Sequence, residues 1–177
     1  MTKRLRTLAA TILMGGMFMA QSAMAYDIKV KGINYNYVGK NQVEVTWGMY
    51  TGIVTIPAHV EYDGKTYTVS RVEDMAFHEL DVESVILPES VERVGKSAFE
   101  GCQRLVSVRM SKGVKEIGYH AFKGCQALQQ VAISATTAPK LDKEAFDPDA
   151  YTNVSLTVGA DSYREAEVWS QFQNIQH

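Results

Sequence analysis

Gly95-Lys96-Ser97 is the part of this 177-residue chain that comes nearest to a motif with chemistry, because a phosphate-binding P-loop ends in these residue types. In a P-loop the lysine and the backbone amides surround the phosphates, and a glycine stands five residues before the Gly-Lys pair. Ser90 occupies that earlier position here. The same phase 23 residues later contains Gly118, Tyr119 and His120. We therefore interpret the segment as part of a repeat and predict no nucleotide site.

Cys102 and Cys125 are the only cysteines, and they stand 23 residues apart. Equivalent positions on adjacent rungs of a repeat lie about 4.8 Å apart, within the Cα separation that a disulfide accepts. Both a disulfide and two buried thiols therefore stay open. Leu80 and Asp149 occupy the same phase in the outer rungs, which favours a column of small buried side chains that happen to be Cys.

The remaining side chains that could do chemistry form no recognisable set. The chain contains no His-Glu-x-x-His segment and no Gly-x-Ser-x-Gly nucleophile motif. Carboxylates are plentiful, but no pair stands out, so an unrecognised hydrolase stays open only as a remote alternative. We predict no catalytic residue, no cofactor and no metal site. The four histidines fall at unrelated repeat phases and are interpreted as surface or turn residues: His59, His78, His120 and His177.

The first 25 residues form a three-part leader. Basic residues at 3, 4 and 6 precede an apolar run from Leu8 to Ala20, and Ala23-Met24-Ala25 supplies the small residues that signal peptidase requires. The apolar run is shorter than the roughly 20 residues of a transmembrane helix. We predict cleavage between Ala25 and Tyr26, and secretion or a periplasmic or cell-surface location. Because no Cys lies near the cleavage point, we do not expect a lipoprotein.

Charge argues against nucleic-acid binding. Without the three basic residues of the leader, 15 of the 18 basic residues face 20 acidic ones, a formal charge of −5. Phosphate-rich partners bind through clusters of Lys and Arg, and no such cluster is present. We predict no nucleic-acid partner and no membrane span in the mature chain.

A 23-residue repeat organises the chain, since residues 82–104 and 105–127 carry the same apolar positions. Each unit alternates apolar and polar residues and then tightens at a glycine, which is typical of strands and bends. One rung buries too little apolar surface to fold alone, so rungs must stack. With irregular copies before and after, we predict a mainly β solenoid of about four 22–24-residue rungs. Recurring pairs include Val85/Val108, Phe99/Phe122, Cys102/Cys125 and Leu105/Leu128.

Both ends of the solenoid need a cap. Alternating segments in residues 26–51 predict an N-terminal β cap, and Asp63-Gly64 predicts a hairpin inserted at 60–69. We assign the solenoid to residues 52–158 and a C-terminal capping helix with its tail to residues 159–177. Ser162 and Glu165 match the pattern of a capping box at the start of that helix.

The repeat resembles that of the BspA-type leucine-rich-repeat proteins of bacteria. The resemblance rests on Gly-Lys-Ser-Ala-Phe-Glu-Gly-Cys at 95–102, on Ala-Phe-Lys-Gly-Cys at 121–125 and on the Val-x-x-Val-x-Leu-Pro-x-x-Val spacing that begins at Val82. It covers most of residues 52–146. It implies a leucine-rich-repeat solenoid that acts as a secreted or surface binding module, with adhesion to host matrix proteins and cells in some members.

Solenoids bind through the outward residues of successive strands, so we predict a protein partner on this face. Ile86 beside Arg109 would make a small apolar and hydrogen-bonding patch of the type enriched at interfaces. The alternative is that scattered apolar surface residues have no function. The predicted partner-binding residues are Thr55, Ser84, Ile86, Ser107, Arg109 and Gln130.

Six aromatic residues of the N-terminal segment suggest a second kind of ligand. Their rings could stack on sugars and make the chain a carbohydrate-binding module. Packing of the same rings across a sheet explains the pattern equally and is the interpretation we prefer. The six residues are Tyr35, Tyr37, Trp47, Tyr50, Tyr62 and Tyr67.

Overall fold

The computed structural model describes residues 26–177 as a solenoid in which the chain winds between two sheets. The predicted signal peptide lies outside the described residues. The strands are β1 (Ile28–Val30), β2 (Ile33–Tyr37), β3 (Gln42–Val45), β4 (Gly52–Thr55), β5 (His59–Tyr62), β6 (Lys65–Val72), β7 (Val82–Leu87), β8 (Arg93–Val94), β9 (Ser107–Met110), β10 (Glu116–Ile117), β11 (Gln130–Ile133), β12 (Lys140–Leu141), β13 (Ser155–Val158) and β14 (Asn174–Gln176). The helices are α1 (Ala150–Asn153), α2 (Ser162–Glu165) and a 3₁₀ helix at Trp169–Gln171. None of the described helices is long and apolar enough to cross a membrane.

The second sheet sets the number of rungs. Its six strands run in the order β4-β7-β9-β11-β13-β14, and every neighbouring pair is parallel. The mainly β solenoid is therefore confirmed, but it has six rungs, and the predicted number of about four is too low. The rung that ends the sheet rests on the three residues of β14, which carry no copy of the repeat pattern.

The first sheet joins the solenoid to its N-terminal cap. It follows the order β1-β2-β3-β6-β8-β10-β12, with β5 paired to β6 as an antiparallel hairpin. Its solenoid strands are parallel, whereas β1, β2 and β3 form an antiparallel meander. Two tight turns have positive φ at both central residues, at Lys31-Gly32 and at Asp63-Gly64. Such two-residue turns match the twist of the strands they connect.

A column of aromatic rings runs through the core, one ring from each central rung. The centroids of Phe77 and Phe99 lie 4.8 Å apart, those of Phe99 and Phe122 5.3 Å apart, and those of Phe122 and Phe146 5.0 Å apart, with nearly parallel planes. All four side chains are buried. Rings in such offset contact contribute about 0.5–1.5 kcal/mol per pair beyond their burial. The repeat positions of the sequence thus become a continuous stack.

Cys102 and Cys125 lie beside this column as free, buried thiols. The Sγ of Cys102 donates to the carbonyl of Phe77 at 2.9 Å, and the Sγ of Cys125 donates to the carbonyl of Phe99 at 3.1 Å. Each thiol therefore bonds to the backbone of the preceding rung and not to the other thiol. Burial raises the pKa of Cys102 to about 11 and raises that of Cys125 further, so both resist forming the reactive thiolate.

The C-terminal end closes differently from the prediction. The capping box is wrong, because α2 begins at Ser162 with Asp161 before it and no side chain caps its amides. The Oγ of Ser162 instead donates to the carbonyl of Thr136 at 3.0 Å. The chain becomes extended at Ala166, and this break lets Trp169 bury its ring and donate its indole N–H to the carbonyl of Pro139 at 2.7 Å. Tertiary contacts thus outweigh the local helix signal.

Phe99→Ala is expected to lower the free energy of unfolding by about 3–5 kcal/mol, because it empties the middle of the aromatic column. Chemical denaturation of residues 26–177 measures this loss. Val106→Ala is the control, since Val106 is 40% exposed and should change stability by no more than about 0.5 kcal/mol. Equal losses for the two variants would contradict a shared column.

Candidate functional site

The outward side of the second sheet forms a continuous face of side chains, which we call the neutral face. Inward residues such as Val54, Val85 and Val108 are buried, so their alternate neighbours point to solvent. Strand pairing aligns these outward residues in two rows. The first row contains Ile53, Ser84, Ser107, Gln130, Ser155 and Asn174, and the second contains Thr55, Ile86, Arg109, Ala132, Thr157 and Gln176.

All six predicted partner-binding residues lie on the neutral face. Ile86 pairs with Thr55 on one side and with Arg109 on the other. Ser107 stands between Ser84 and Gln130, and the Oγ atoms of the two serines are 2.8 Å apart. The structure thus brings the predicted residues together in adjacent positions. Partner binding by these residues stays a prediction.

Ile53 belongs to the same face and is missing from the predicted set. Its side chain is 73% exposed, whereas neighbouring Val54 is buried. The alternation around Val54 could have identified it, since it has the same strand phase as Ser84. With Val106 and Ala127 it lines a shallow groove of about 520 Å³ at one side of the face. An ion pair between Arg104 and Glu83 borders this groove.

Charge separates the two sheets. Among the twelve outward residues of the neutral face, Arg109 is the only one with a charge. The outward row of the first sheet is charged throughout, and the guanidinium of Arg93 lies 3.2 Å from Asp74 and 3.9 Å from Glu116. This charged row contains Glu44, Arg71, Arg93, Glu116 and Lys140 in register. The protein therefore has one neutral side and one charged side.

Glu44 and Glu73 form a carboxylate pair that the sequence did not single out. Burial and the neighbouring carboxylate of Glu73 raise the pKa of Glu44 to about 7, while Arg71 and Arg93 act in the opposite direction. Glu73 accepts hydrogen bonds from the Oγ of Thr46 and the Nδ2 of Asn36, which hold it as a link between strands. No sequence spacing could have shown this pair, because its members meet only through the pairing of β3 with β6.

The other candidate chemistry of the sequence has structural explanations. A Cβ on Gly95 would lie 2.6 Å from the amide nitrogen of Asp74, so this glycine permits close contact between rungs. Ser97 has a φ of +51° and His120 one of +56°, at equivalent points of two rungs. The Gly-Lys-Ser segment is thus a repeat bend. Among residues 26–177, no group of three or more His, Cys, Asp or Glu side chains is placed to hold a metal ion.

The aromatic residues of the cap serve mainly in packing. Tyr35, Tyr50 and Tyr67 are buried. The ring of Tyr50 lies 4.8 Å from that of Phe77 and extends the aromatic column, and its hydroxyl donates to the carbonyl of Thr46 at 2.6 Å. These buried rings offer no face to a sugar, and the packing interpretation describes them.

The comparison with protein families decides the classification. A model of the BspA type leucine rich repeat region matches residues 70–174 in six copies. This chain belongs to the BspA-type leucine-rich-repeat family. The sequence resemblance is thereby confirmed, and the six copies agree in number with the six rungs of the BspA-type solenoid. Among curated proteins, no sequence matches significantly.

Solved structures of bacterial leucine-rich-repeat proteins share the fold. A leucine-rich-repeat protein from Bacteroides capillosus has a TM-score of 0.63 and 25% identity over 76% of this chain and 97% of its own. One from Bacteroides ovatus has a TM-score of 0.57 and 25% identity over 75% of this chain and 41% of its own. A leucine rich cell surface protein from Faecalibacterium prausnitzii has a TM-score of 0.55 and 23% identity, over 80% of this chain and 44% of its own. The chain therefore spans less than half the length of two of these BspA-like neighbours.

Glu44→Gln is expected to raise the free energy of unfolding at pH 8 by about 1 kcal/mol, a value reduced for the partial exposure of this side chain. The pKa of Glu44 is about 7 in the folded protein against an ordinary value of 4.5, so the unfolded chain loses this proton first. The penalty on the folded state develops as the pH rises from 4.5 to 7 and is complete above 7.

Denaturation curves of the wild type and Glu44→Gln at pH 4, 6 and 8 measure this effect. The difference between the two should vanish towards pH 4. Glu61→Gln, at an exposed position of β5, is the control and should change the free energy of unfolding by no more than about 0.5 kcal/mol. A Glu44→Gln protein without a gain at pH 8 would contradict the burial of this carboxylate.

Proposed function

We propose that this protein is a secreted, non-catalytic binding module that recognises a protein partner through the neutral face. The single observation that carries the proposal is the charge distribution, one charged residue among the twelve outward residues of the second sheet. The centres of protein interfaces are depleted of charged residues other than Arg, because an unpaired charge is costly to remove from water. The opposite sheet, with its row of charges, has the character of an ordinary solvated surface.

The geometry of the face supports recognition by shape. Five strand spacings make it about 24 Å long, and its strands are fixed by backbone hydrogen bonds on both sides except at the two ends. A rigid face loses little conformational entropy when a partner binds. Ile86 supplies an apolar contact and Arg109 supplies donors, while the Ser and Thr residues supply small hydroxyl groups along the rows.

The leader supports the proposed location. A chain that carries a signal peptide cleaved between residues 25 and 26 would meet its partner outside the cytoplasm, on a host surface or matrix or within the bacterial envelope. The family's repeat fold is that of a surface and protein-interaction module. The negative charge and the lack of a basic cluster direct the proposal to proteins and away from nucleic acids.

Arg109→Ala is expected to weaken partner binding at least tenfold, which corresponds to about 1.4 kcal/mol or more. The partner is first captured on purified residues 26–177 from host-matrix and bacterial-envelope extracts and identified by mass spectrometry. Affinities of the wild type and of the variant for that partner are then measured by calorimetry. The melting temperature of the variant should stay unchanged, because Arg109 is exposed.

Lys140→Ala is the matched control, since it removes an exposed cation from the charged sheet and should leave the affinity within twofold. If Lys140→Ala weakened binding as much as Arg109→Ala, the partner would bind through charge in general and the neutral face would lose its role. Saturable turnover of a glycoside or peptide by the purified chain would contradict a non-catalytic module.

A further inference from the structure

Strand β4 is an open edge of the second sheet. Among the described residues it pairs only with β7, on one side. The amides of Gly52 and Ile56 donate to carbonyls on that side, to Asp81 at 3.0 Å and to Ile86 at 3.0 Å. Backbone groups along a parallel strand alternate between its two sides, so Ile53 and Thr55 direct their N–H and C=O groups to the open side. These groups have the spacing that an added strand requires.

Nothing in β4 protects this edge. Sheet edges are commonly blocked by Lys or Pro residues that prevent the pairing of another chain, and the four residues of β4 include neither. Ile53 is 73% exposed, and Met49, just before the strand, is 89% exposed. At the opposite end of the sheet, β14 is one residue shorter and exposes the amide side chains of Asn174 and Gln176. The two ends therefore differ, and β4 is the apolar one.

A cavity of about 650 Å³ lies against the open edge. One wall is the hairpin of β1 and β2, with Val30 and Ile33, and the opposite wall contains Thr55, Pro57 and the start of β5. The cavity is thus a gap between the N-terminal cap and the first rung of the solenoid. Its ionisable lining groups are Lys31, His59 and Glu61, which include both signs of charge.

Tyr35 lines this cavity and carries a hydroxyl without a partner. The side chain is fully buried, and its oxygen makes no hydrogen bond within the protein. Buried polar groups are nearly always paired, so an orphaned hydroxyl next to a cavity calls for a ligand group. Burial and the neighbouring Tyr50 raise the pKa of Tyr35, which keeps the hydroxyl protonated and able both to donate and to accept.

We propose that the open edge of β4 and the adjoining cavity accept an extended peptide segment of a partner protein as a seventh strand of the second sheet. Peptides that add to a sheet edge gain affinity from main-chain hydrogen bonds and specificity from pockets for alternate side chains. The backbone of Ile53 and Thr55 supplies the main-chain bonds, and the Tyr35 hydroxyl meets one polar group of the peptide inside the cavity. This site is separate from the neutral face and does not rest on it.

The surroundings of the edge define the chemistry of the segment. The unpaired groups are main-chain amides and carbonyls and one neutral hydroxyl, and the lining has no excess of one charge, so the segment is uncharged and partly apolar. A second copy of this chain fits less well, because pairing β4 with β4 would involve four residues per strand and leave the cavity unfilled. Stable dimers usually bury considerably more surface than a single pair of short strands provides.

The test begins with a random 12-residue peptide library displayed on phage and selected on purified residues 26–177. Recovered peptides are synthesised, and their affinities for the wild type and for two variants of Thr55 are measured. Thr55→Pro removes the amide on the open side and leaves the amides that face β7, and edge strands tolerate such a proline. Thr55→Val keeps the amide and the shape of the side chain. Thr55→Pro should lose at least tenfold in affinity, and Thr55→Val should stay within twofold.

Tyr35→Phe gives an independent measure that does not depend on a proline. It should reduce peptide affinity severalfold while the melting temperature stays equal or rises, because the hydroxyl has no partner in the free protein. A merely structural tyrosine would leave peptide affinity unchanged. Hydrogen exchange should also show that bound peptide protects the amides of Ile53 and Thr55.

Three outcomes would overturn the proposal. These are a library that yields no binder, peptides that bind Thr55→Pro and Tyr35→Phe as well as the wild type, and a free protein that is already a dimer with a protected Thr55 amide. Arg109→Ala should leave peptide affinity unchanged, so failure at this edge is distinguishable from failure of the neutral face. If Thr55→Pro does not fold, Tyr35→Phe and the exchange data decide.

Discussion

The stacking of one rung on the next is the interaction on which the rest of this structure depends. A single 23-residue unit cannot bury enough apolar surface to fold, but six units share one core. The phenylalanine column shows how this works, since the ring of Phe99 contacts the rings of Phe77 and Phe122 and has no equally large partner within its own rung. The Sγ atoms of Cys102 and Cys125 add hydrogen bonds to the backbone of the preceding rung. Stability thus lies between rungs rather than inside them.

The two faces of the solenoid follow from this stacking. Because equivalent positions align in rows, one residue type repeated along the sequence becomes a surface property. On the first sheet, Arg93 and Glu116 occupy neighbouring positions and compensate each other electrostatically. On the second sheet, Ser84 and Ser107 do the same with a hydrogen bond between their hydroxyls. The row register therefore converts local composition into a charged side and a neutral side, and it leaves Arg109 as an isolated donor on the neutral one.

The repeat was predictable because it is written in the sequence at constant spacing. Phe99 and Phe122 indicated a shared column, and the alternation around Val85 placed Ser84 and Ile86 on an outward face. Features without a periodic pattern were not predictable. The strand β14 pairs because β13 offers it an edge, and the short α2 ends where Trp169 must reach the core. The carboxylate pair of Glu44 and Glu73 and the unpartnered hydroxyl of Tyr35 arise from contacts between distant segments, which spacing alone does not show.

The serial arrangement of the rungs also determines how the protein would respond to a pulling force. Each rung contacts only its neighbours, so tension applied between the two termini would load the contacts one after another and not all at once. Rungs would peel from an end, and each 23-residue unit would release roughly 80 Å of extended chain. A folded module of this kind would lengthen in steps under load, and it would dissipate mechanical work while the rungs nearer its centre stayed folded.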